Sequence, residues 1–244
     1  MAVIAIYSLK GGVGKTSLSV NLAWAAAQLT ERSTLLWDLD PQWAASFLLG
    51  HEPDRRGSAH KVFSETVKAE DLTLWTGIER LDLLPADASL RALDLFFAGL
   101  GKKRRMARLS EGLTKSYERI ILDCPPGITE TSDQMMRAAD LIVVPVIPSP
   151  LSTRALDDVR AHLLAKHGGH VPILPVFSMV DRRRSLHREA LDANPDWPVI
   201  PMASAVEQMA VRRTPIGKFA GKSPAALALA ALWAGIDKKI TKAS

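Results

Sequence analysis

The chain has 244 residues, 47% of them hydrophobic and 23% charged, and Lys plus Arg exceed Asp plus Glu by 31 to 26, for a net charge of +5. That length and apolar content suffice for one large α/β core, and the modest positive charge suits an acidic partner without demanding one. The single cysteine, Cys124, excludes an intramolecular disulfide and a thiolate cluster within one chain, and it fits a reducing compartment. In chain order, a first strand is predicted over Val3–Tyr7. A helix follows from Lys15 to Leu29, where Leu18, Leu22, Ala25, Ala26 and Leu29 recur at helical spacing. The short apolar run Ser33–Trp37 reads as a buried strand ending at Asp38, completing a strand–helix–strand unit.

Residues 50–72 are more polar, with His51–Gly57 expected as a loop and a short helix after it. Leu81–Pro85 is expected as a strand, and Ala88–Gly99 and Lys103–Ser116 as helices. Arg119–Asp123 and Leu141–Pro145 are continuous apolar runs, the pattern of central parallel strands covered on both faces. Further strands are expected at Ile173–Phe177 and Pro198–Ile200. The last helix is expected to open at Ser223-Pro224, a serine cap with proline at the first helical position. The sum is an α/β fold, a mostly parallel twisted sheet with helices on both faces, in a single domain spanning 1–244. No run approaches the ~20 apolar residues of a membrane span. The N-terminal apolar run is short and has no basic leader, so the chain is expected in the cytoplasm.

Lys10-Gly11-Gly12-Val13-Gly14-Lys15-Thr16 lies between the first strand and first helix, the place of a phosphate-binding loop. Glycines let backbone N–H groups turn in around phosphates, and the helix N-terminus adds partial positive charge. Lys15 would reach the β and γ phosphates and the Thr16 hydroxyl would bind Mg²⁺, with Ser17 following at the helix start. The usual first glycine of such loops is replaced by Leu9, and a second cation stands at Lys10. Asp123 ends an apolar strand, where α/β sheets place ligands, and suits a carboxylate that holds Mg²⁺ through a water. In Asp38-Leu39-Asp40-Pro41-Gln42 the two aspartates alternate and so point in different directions. One could face the magnesium shell and the other an attacking water; an ordinary turn accounts for the same residues.

These three segments, the last extending as Asp123-Cys124-Pro125-Pro126-Gly127, resemble the three motifs of the ParA/MinD family of deviant Walker ATPases. The Pro-Gln ending of the middle motif is similar to the ParA branch. Ser178–Leu186 resembles a looser segment of that branch, and Val199-Ile200-Pro201 the strand end that borders the purine. The resemblance implies an ATP- and Mg²⁺-dependent switch that dimerises on ATP, with Lys10 crossing to the partner subunit's phosphates. It further implies Asp40 orienting water, Asp38 near the magnesium shell beside Thr16 and Asp123, and Met179, Asp181 and Pro201 at the nucleotide. Catalysis would rest on Lys10, Lys15 and Asp40.

ParA-like proteins bind DNA nonspecifically in the ATP dimer and release it when a ParB-like or adaptor protein stimulates hydrolysis, positioning a plasmid, chromosome or protein cluster. The resemblance therefore implies a nucleoid-associated protein. The candidate phosphate contacts are Arg182, Arg183, Arg184 and Arg188, then Arg212, Arg213, Lys218 and Lys222, with Lys102–Arg105 ranked second. The chain starts two residues before its first strand, so no N-terminal helix-turn-helix is expected and operator-specific repression is not. A MinD-like membrane switch would need an amphipathic tail, for which Ala225–Ile240 is the candidate; the preferred reading of that segment is the closing helix of the core. A metabolic ligase of the same fold is the third reading, opposed by Lys10. Cys124 reads as a small buried residue. The six histidines, His51, His60, His162, His167, His170 and His187, show no metal-ligand spacing.

Overall fold

Strands buried at every position make up the centre of the molecule, as the continuous apolar runs dictate. The computed structural model describes residues 1–53, 58–100 and 104–243, with Leu100 and Ala243 as backbone only. The predicted loop residues Asp54–Gly57 and the cationic pair Lys102 and Lys103 lie outside the described residues. In chain order the elements are β1 (Ala2–Ile6), α1 (Lys15–Leu29), β2 (Thr34–Asp38), α2 (Ala44–Leu48), α3 (His60–Phe63), α4 (Ala69–Leu72), β3 (Leu74–Ile78) and β4 (Leu81–Leu84). A 3₁₀ turn (Ala88–Ala92), α5 (Leu93–Leu100), α6 (Arg105–Leu113), β5 (Arg119–Asp123), α7 (Glu130–Ala138), β6 (Leu141–Val146) and α8 (Pro150–His167) follow. The chain then runs through β7 (Ile173–Val180), α9 (Ser185–Ala193), β8 (Val199–Pro201), α10 (Ser204–Arg212), α11 (Ile216–Ala220) and α12 (Pro224–Ala243).

The eight strands form one sheet in the order β3-β4-β2-β5-β1-β6-β7-β8, parallel except for the antiparallel β3–β4 edge. Successive side chains of each strand go to opposite faces. Val3, Ala5, Leu35, Trp37, Ile120 and Leu122 pack with residues of α5 to α8, whereas Ile4, Ile6, Leu36 and Ile121 pack with α1 and α12. The order puts the ends of β2, β5 and β1 side by side, with Asp38 and Asp123 in register as strand neighbours. The loop after β1 enters the same crevice.

The edge strand β3 was not expected from the sequence: four of its five residues are exposed or half-buried, Trp75 at 73%, so no apolar alternation marks it. The expected helix Ala88–Gly99 is divided into a 3₁₀ turn and α5. Asp87 caps the turn by accepting the Ser89 N–H at 2.8 Å through one oxygen, and its other oxygen accepts the Ala59 N–H at 2.9 Å. The last helix starts at Pro224 as expected, and its apolar stripe is spent in the core. Leu229, Leu232, Trp233 and Ile236 are buried, Trp233 Nε1 donates to the Thr30 hydroxyl at 3.0 Å, and Arg119 donates to Asp237 at 2.6 Å. Among the described residues no helix is long and apolar enough to cross a membrane.

Candidate functional site

The loop between β1 and α1 is folded as a cradle. Gly12 and Gly14 have φ of +72° and +88°, a region that disfavours any residue with a Cβ. Gly14 is the N-cap of α1 and supplies no side-chain acceptor, so the first amides of α1 remain available to an anion. Lys15 is buried, and its ammonium donates to the Lys10 carbonyl at 3.1 Å; the Lys10 N–H donates to the Ser8 hydroxyl at 3.3 Å. The backbone at Lys10 is thus fixed at both sides while its side chain is half-buried. Burial pulls the Lys15 ammonium below its ordinary pKa, and the charges of Asp123 and Asp40 oppose that pull.

Asp123 is fully buried at the end of β5. One carboxylate oxygen accepts the Ser19 hydroxyl at 2.8 Å; the other, Oδ2, is buried without a hydrogen-bond partner among the described residues, and Thr16 lies beside the carboxylate. Burial raises its pKa to about 6, against the pull of the Ser19 hydrogen bond and the neighbouring Thr16 hydroxyl. An unpartnered buried carboxylate oxygen beside a threonine hydroxyl is a donor set that fits a hard, oxygen-seeking dication such as Mg²⁺. Asp38, also fully buried, accepts the Ser46 N–H at 2.8 Å, the Ser46 hydroxyl at 2.7 Å and the Asp40 N–H at 3.2 Å. Burial, then the neighbouring Asp123, raises its pKa. Asp40 is half-buried, accepts the Gln42 N–H at 2.9 Å in a local turn, and lies close enough for its charge to act on Lys15 and Asp123. Asp38 is engaged by the turn and by Ser46, whereas the charge of Asp40 acts on Lys15.

A cavity of about 110 Å³ opens beside the loop, with Gly14, Ser17, Met179 and Pro201 among its lining and Asn21 and Glu207 as polar members. A shift in the β7–β8 register between Phe177 and Val180 carries Met179 into the left-handed region at φ 55°. The bulge brings the Ser178 hydroxyl within 2.7 Å of the Val13 carbonyl, to which it donates. A Cβ at Gly14 would meet Ser178 Oγ at 3.1 Å and Met179 Cε at 3.6 Å. Sequence reasoning placed Met179 and Pro201 together, and they line one cavity. Asp181, expected with them, does not line it: Arg183 grips its carboxylate through two N–H groups at 2.8 and 2.9 Å and holds its pKa well below the usual range. Sequence reasoning missed the roles of Ser19 and Asn21, whose partners Asp123 and Ile216 lie far along the chain, and of Ser46, which bonds Asp38 eight residues away.

A family model described as an AAA domain, AAA_31, matches residues 1–165, which contain the loop and both acidic segments. The chromosome partitioning protein ParA of Caulobacter vibrioides is 33% identical over 200 residues, covering 78% of this chain and 73% of that protein. The chain belongs to the ParA/MinD family of partition ATPases. Its fold matches the cell division ATPase MinD of Pyrococcus furiosus with a TM-score of 0.79 at 24% identity, covering 97% of this chain and 98% of that one. A Mycobacterium smegmatis cobyrinic acid a,c-diamide synthase with bound ATP analogue and magnesium superposes with a TM-score of 0.83 at 25% identity, over 100% of this chain and 97% of that one.

In this ParA/MinD-family chain the expected basic residues divide by what already occupies them. Arg213 is committed within the chain: it donates to the Phe47 carbonyl at 3.1 Å, lies 4.5 Å over the Phe47 ring and pairs with Glu52 at 2.8 Å. Arg212 lies 4.9 Å over the Phe219 ring, Arg183 pairs with Asp181, and Arg188 donates to the carbonyls of Arg182 and Arg183. Arg182, Arg184, Lys218 and Lys222 are exposed. Of the second-ranked cluster, Arg105 pairs with Glu65.

The histidines require a correction. His162 and His167, which carry no recognised ligand spacing, are brought together with Asp133 of α7, so the fold assembles a triad that spacing alone did not reveal.

Proposed function

We propose that this chain is an ATPase that closes into a homodimer around ATP and Mg²⁺, binds DNA nonspecifically in that state, and positions a cargo, with hydrolysis stimulated by a ParB-like or adaptor partner. The observation that carries the reading is the convergence of Lys15, Thr16, Asp123 and Asp40 at the cradle, next to a cavity shaped for an apolar-faced base. Lys15, now satisfied by the Lys10 carbonyl, would exchange that acceptor for the β and γ phosphates. Thr16 and Asp123 would hold Mg²⁺, which would neutralise phosphate charge. Asp40, which among the described residues accepts only its own turn amide, would offer its other oxygen to orient water, while Asp38 is occupied in keeping that turn in place.

Lys10 is the cation that would act on the second subunit's ATP. A loose phosphoryl-transfer transition state spreads charge over its oxygens, so a cation delivered across an interface ties hydrolysis to dimerisation. Met179 and Pro201 would flank adenine. Arg182, Arg184, Lys218 and Lys222 are the first candidates for DNA phosphates. The burial of the α12 stripe counts against a MinD-like membrane anchor. Size-exclusion chromatography tests the switch. Wild type should elute as a dimer with a slowly hydrolysed ATP analogue and as a monomer with ADP, and Lys10→Ala should be monomeric with both while retaining nucleotide. An unchanged Lys10→Ala dimer removes the role in trans.

A further inference from the structure

Asp133 on α7 and His162 and His167 on α8 place one ligand atom each within 4.8 Å of one another. His162 Nε2 lies 2.5 Å from Asp133 Oδ1, and His167 Nε2 lies 3.6 Å from the same oxygen. The second distance is too long for a hydrogen bond. The His167 side chain is 6% exposed, and its Nε2 is a buried polar atom without a hydrogen-bond partner among the described residues. A buried imidazole nitrogen left unsatisfied is costly, and here it is aimed at a carboxylate already bonded to a second imidazole. Asp133 is itself buried, and α8 ends at His167 because Gly168 takes the left-handed cap at φ 65°. That cap fixes where the second imidazole emerges.

We propose that Asp133, His162 and His167 form a binding site for a divalent transition metal of borderline softness, with Zn²⁺ as the reference ion. Tetrahedral coordination at about 2.0–2.2 Å from each ligand spaces the ligand atoms by about 3.3–3.6 Å, against 2.5 and 3.6 Å for the two carboxylate–imidazole pairs here. Small side-chain rotations would therefore seat an ion, and it would satisfy His167 Nε2. Two imidazoles and one carboxylate favour Zn²⁺, Co²⁺ or Ni²⁺ over Mg²⁺, which takes oxygen ligands. The site is thus chemically separate from the cradle at Asp123. Arg137 stands near His167 and adds positive charge, which the single carboxylate only balances, so moderate rather than extreme affinity follows. A bound ion would pin α7 to α8. The loop leading into α7 is itself held to β1's end, since the Tyr7 hydroxyl donates to the Gly127 carbonyl at 2.8 Å.

The test is a Zn²⁺ titration of the tag-free chain against a chromogenic chelator, in excess Mg²⁺ with and without ATP, together with Co²⁺ absorption spectra. One Zn²⁺ per chain is expected, insensitive to Mg²⁺–ATP, with a tetrahedral Co²⁺ spectrum. His162→Gln and His167→Gln should each weaken binding by about tenfold or more, while His170→Gln and His187→Gln bind as wild type. Metal-free melting curves of the variants establish that they fold. In folded variants, unchanged affinity on losing His162 or His167 overturns the site. So does Zn²⁺ binding that Mg²⁺–ATP abolishes, or the absence of stoichiometric binding to wild type.

Discussion

Replacing Gly217 by alanine measures how tightly α11 is pressed against α1, the helix that carries Lys15 and Thr16. A Cβ at Gly217 would lie 2.2 Å from two atoms of the Trp24 ring and 2.5 Å from a third. Carbon atoms settle at about 3.5 Å or more, so the ring or α11 must retreat by about 1.3 Å. Overpacking on that scale costs about 1–3 kcal/mol, and contact with three ring atoms argues for the upper end. Alanine returns about 1 kcal/mol through its better helix propensity, leaving a net loss of about 2 kcal/mol. For a domain of this size that lowers Tm by about 4–8 °C. Thermal and urea unfolding should give this loss in the wild-type background. With Trp24→Ala already present, Gly217→Ala should be neutral or stabilising, because the clashing ring is gone. Equal losses in both backgrounds, or no loss in wild type, refute the packing argument.

Asp123→Asn should stabilise the nucleotide-free, metal-free protein in a pH-dependent way. The folded carboxyl titrates at about 6, above its unfolded value near 4, so the folded state holds its proton more tightly. Stability of wild type therefore falls as pH rises from about 4 through about 6 and stays low above that. The asparagine variant should melt higher by about 1–3 kcal/mol equivalent near pH 8 and lose the advantage near pH 4; a pH-independent difference contradicts this. Arg213→Ala should cost about 1–2 kcal/mol by removing the ring contact, the carbonyl hydrogen bond and the Glu52 pair. Arg182→Ala and Arg184→Ala should leave stability within about 0.5 kcal/mol and weaken DNA binding instead. A melting shift in the latter two, without a change in DNA affinity, would reverse their assignment.

What the sequence revealed follows from how each feature is encoded. The cradle is local: seven consecutive residues that follow an apolar strand and run into the first turn of α1, a helix buried along most of its length. β1, β2, β5 and β6 are legible because strands covered on both faces must be apolar throughout. β3 is not, since its pairing with β4 leaves most of its side chains in solvent. The cavity beside the loop depends on a bulge that redirects Met179, and no local signal marks it. Ser19 with Asp123, and Ser46 with Asp38, are contacts made by the fold rather than by spacing. Asp181 differs from them in being local: its carboxylate is held by an arginine two residues away. Asp133, His162 and His167 meet only because α7 and α8 pack side by side.

In the proposed switch, nucleotide state governs attachment to DNA. The direct measurement is binding of an arbitrary DNA duplex with ATP, with ADP and without nucleotide, each at low and high salt. Binding is expected with ATP only, weakened steeply as salt rises because the contacts are to phosphates. Equal binding in all three nucleotide states would contradict it.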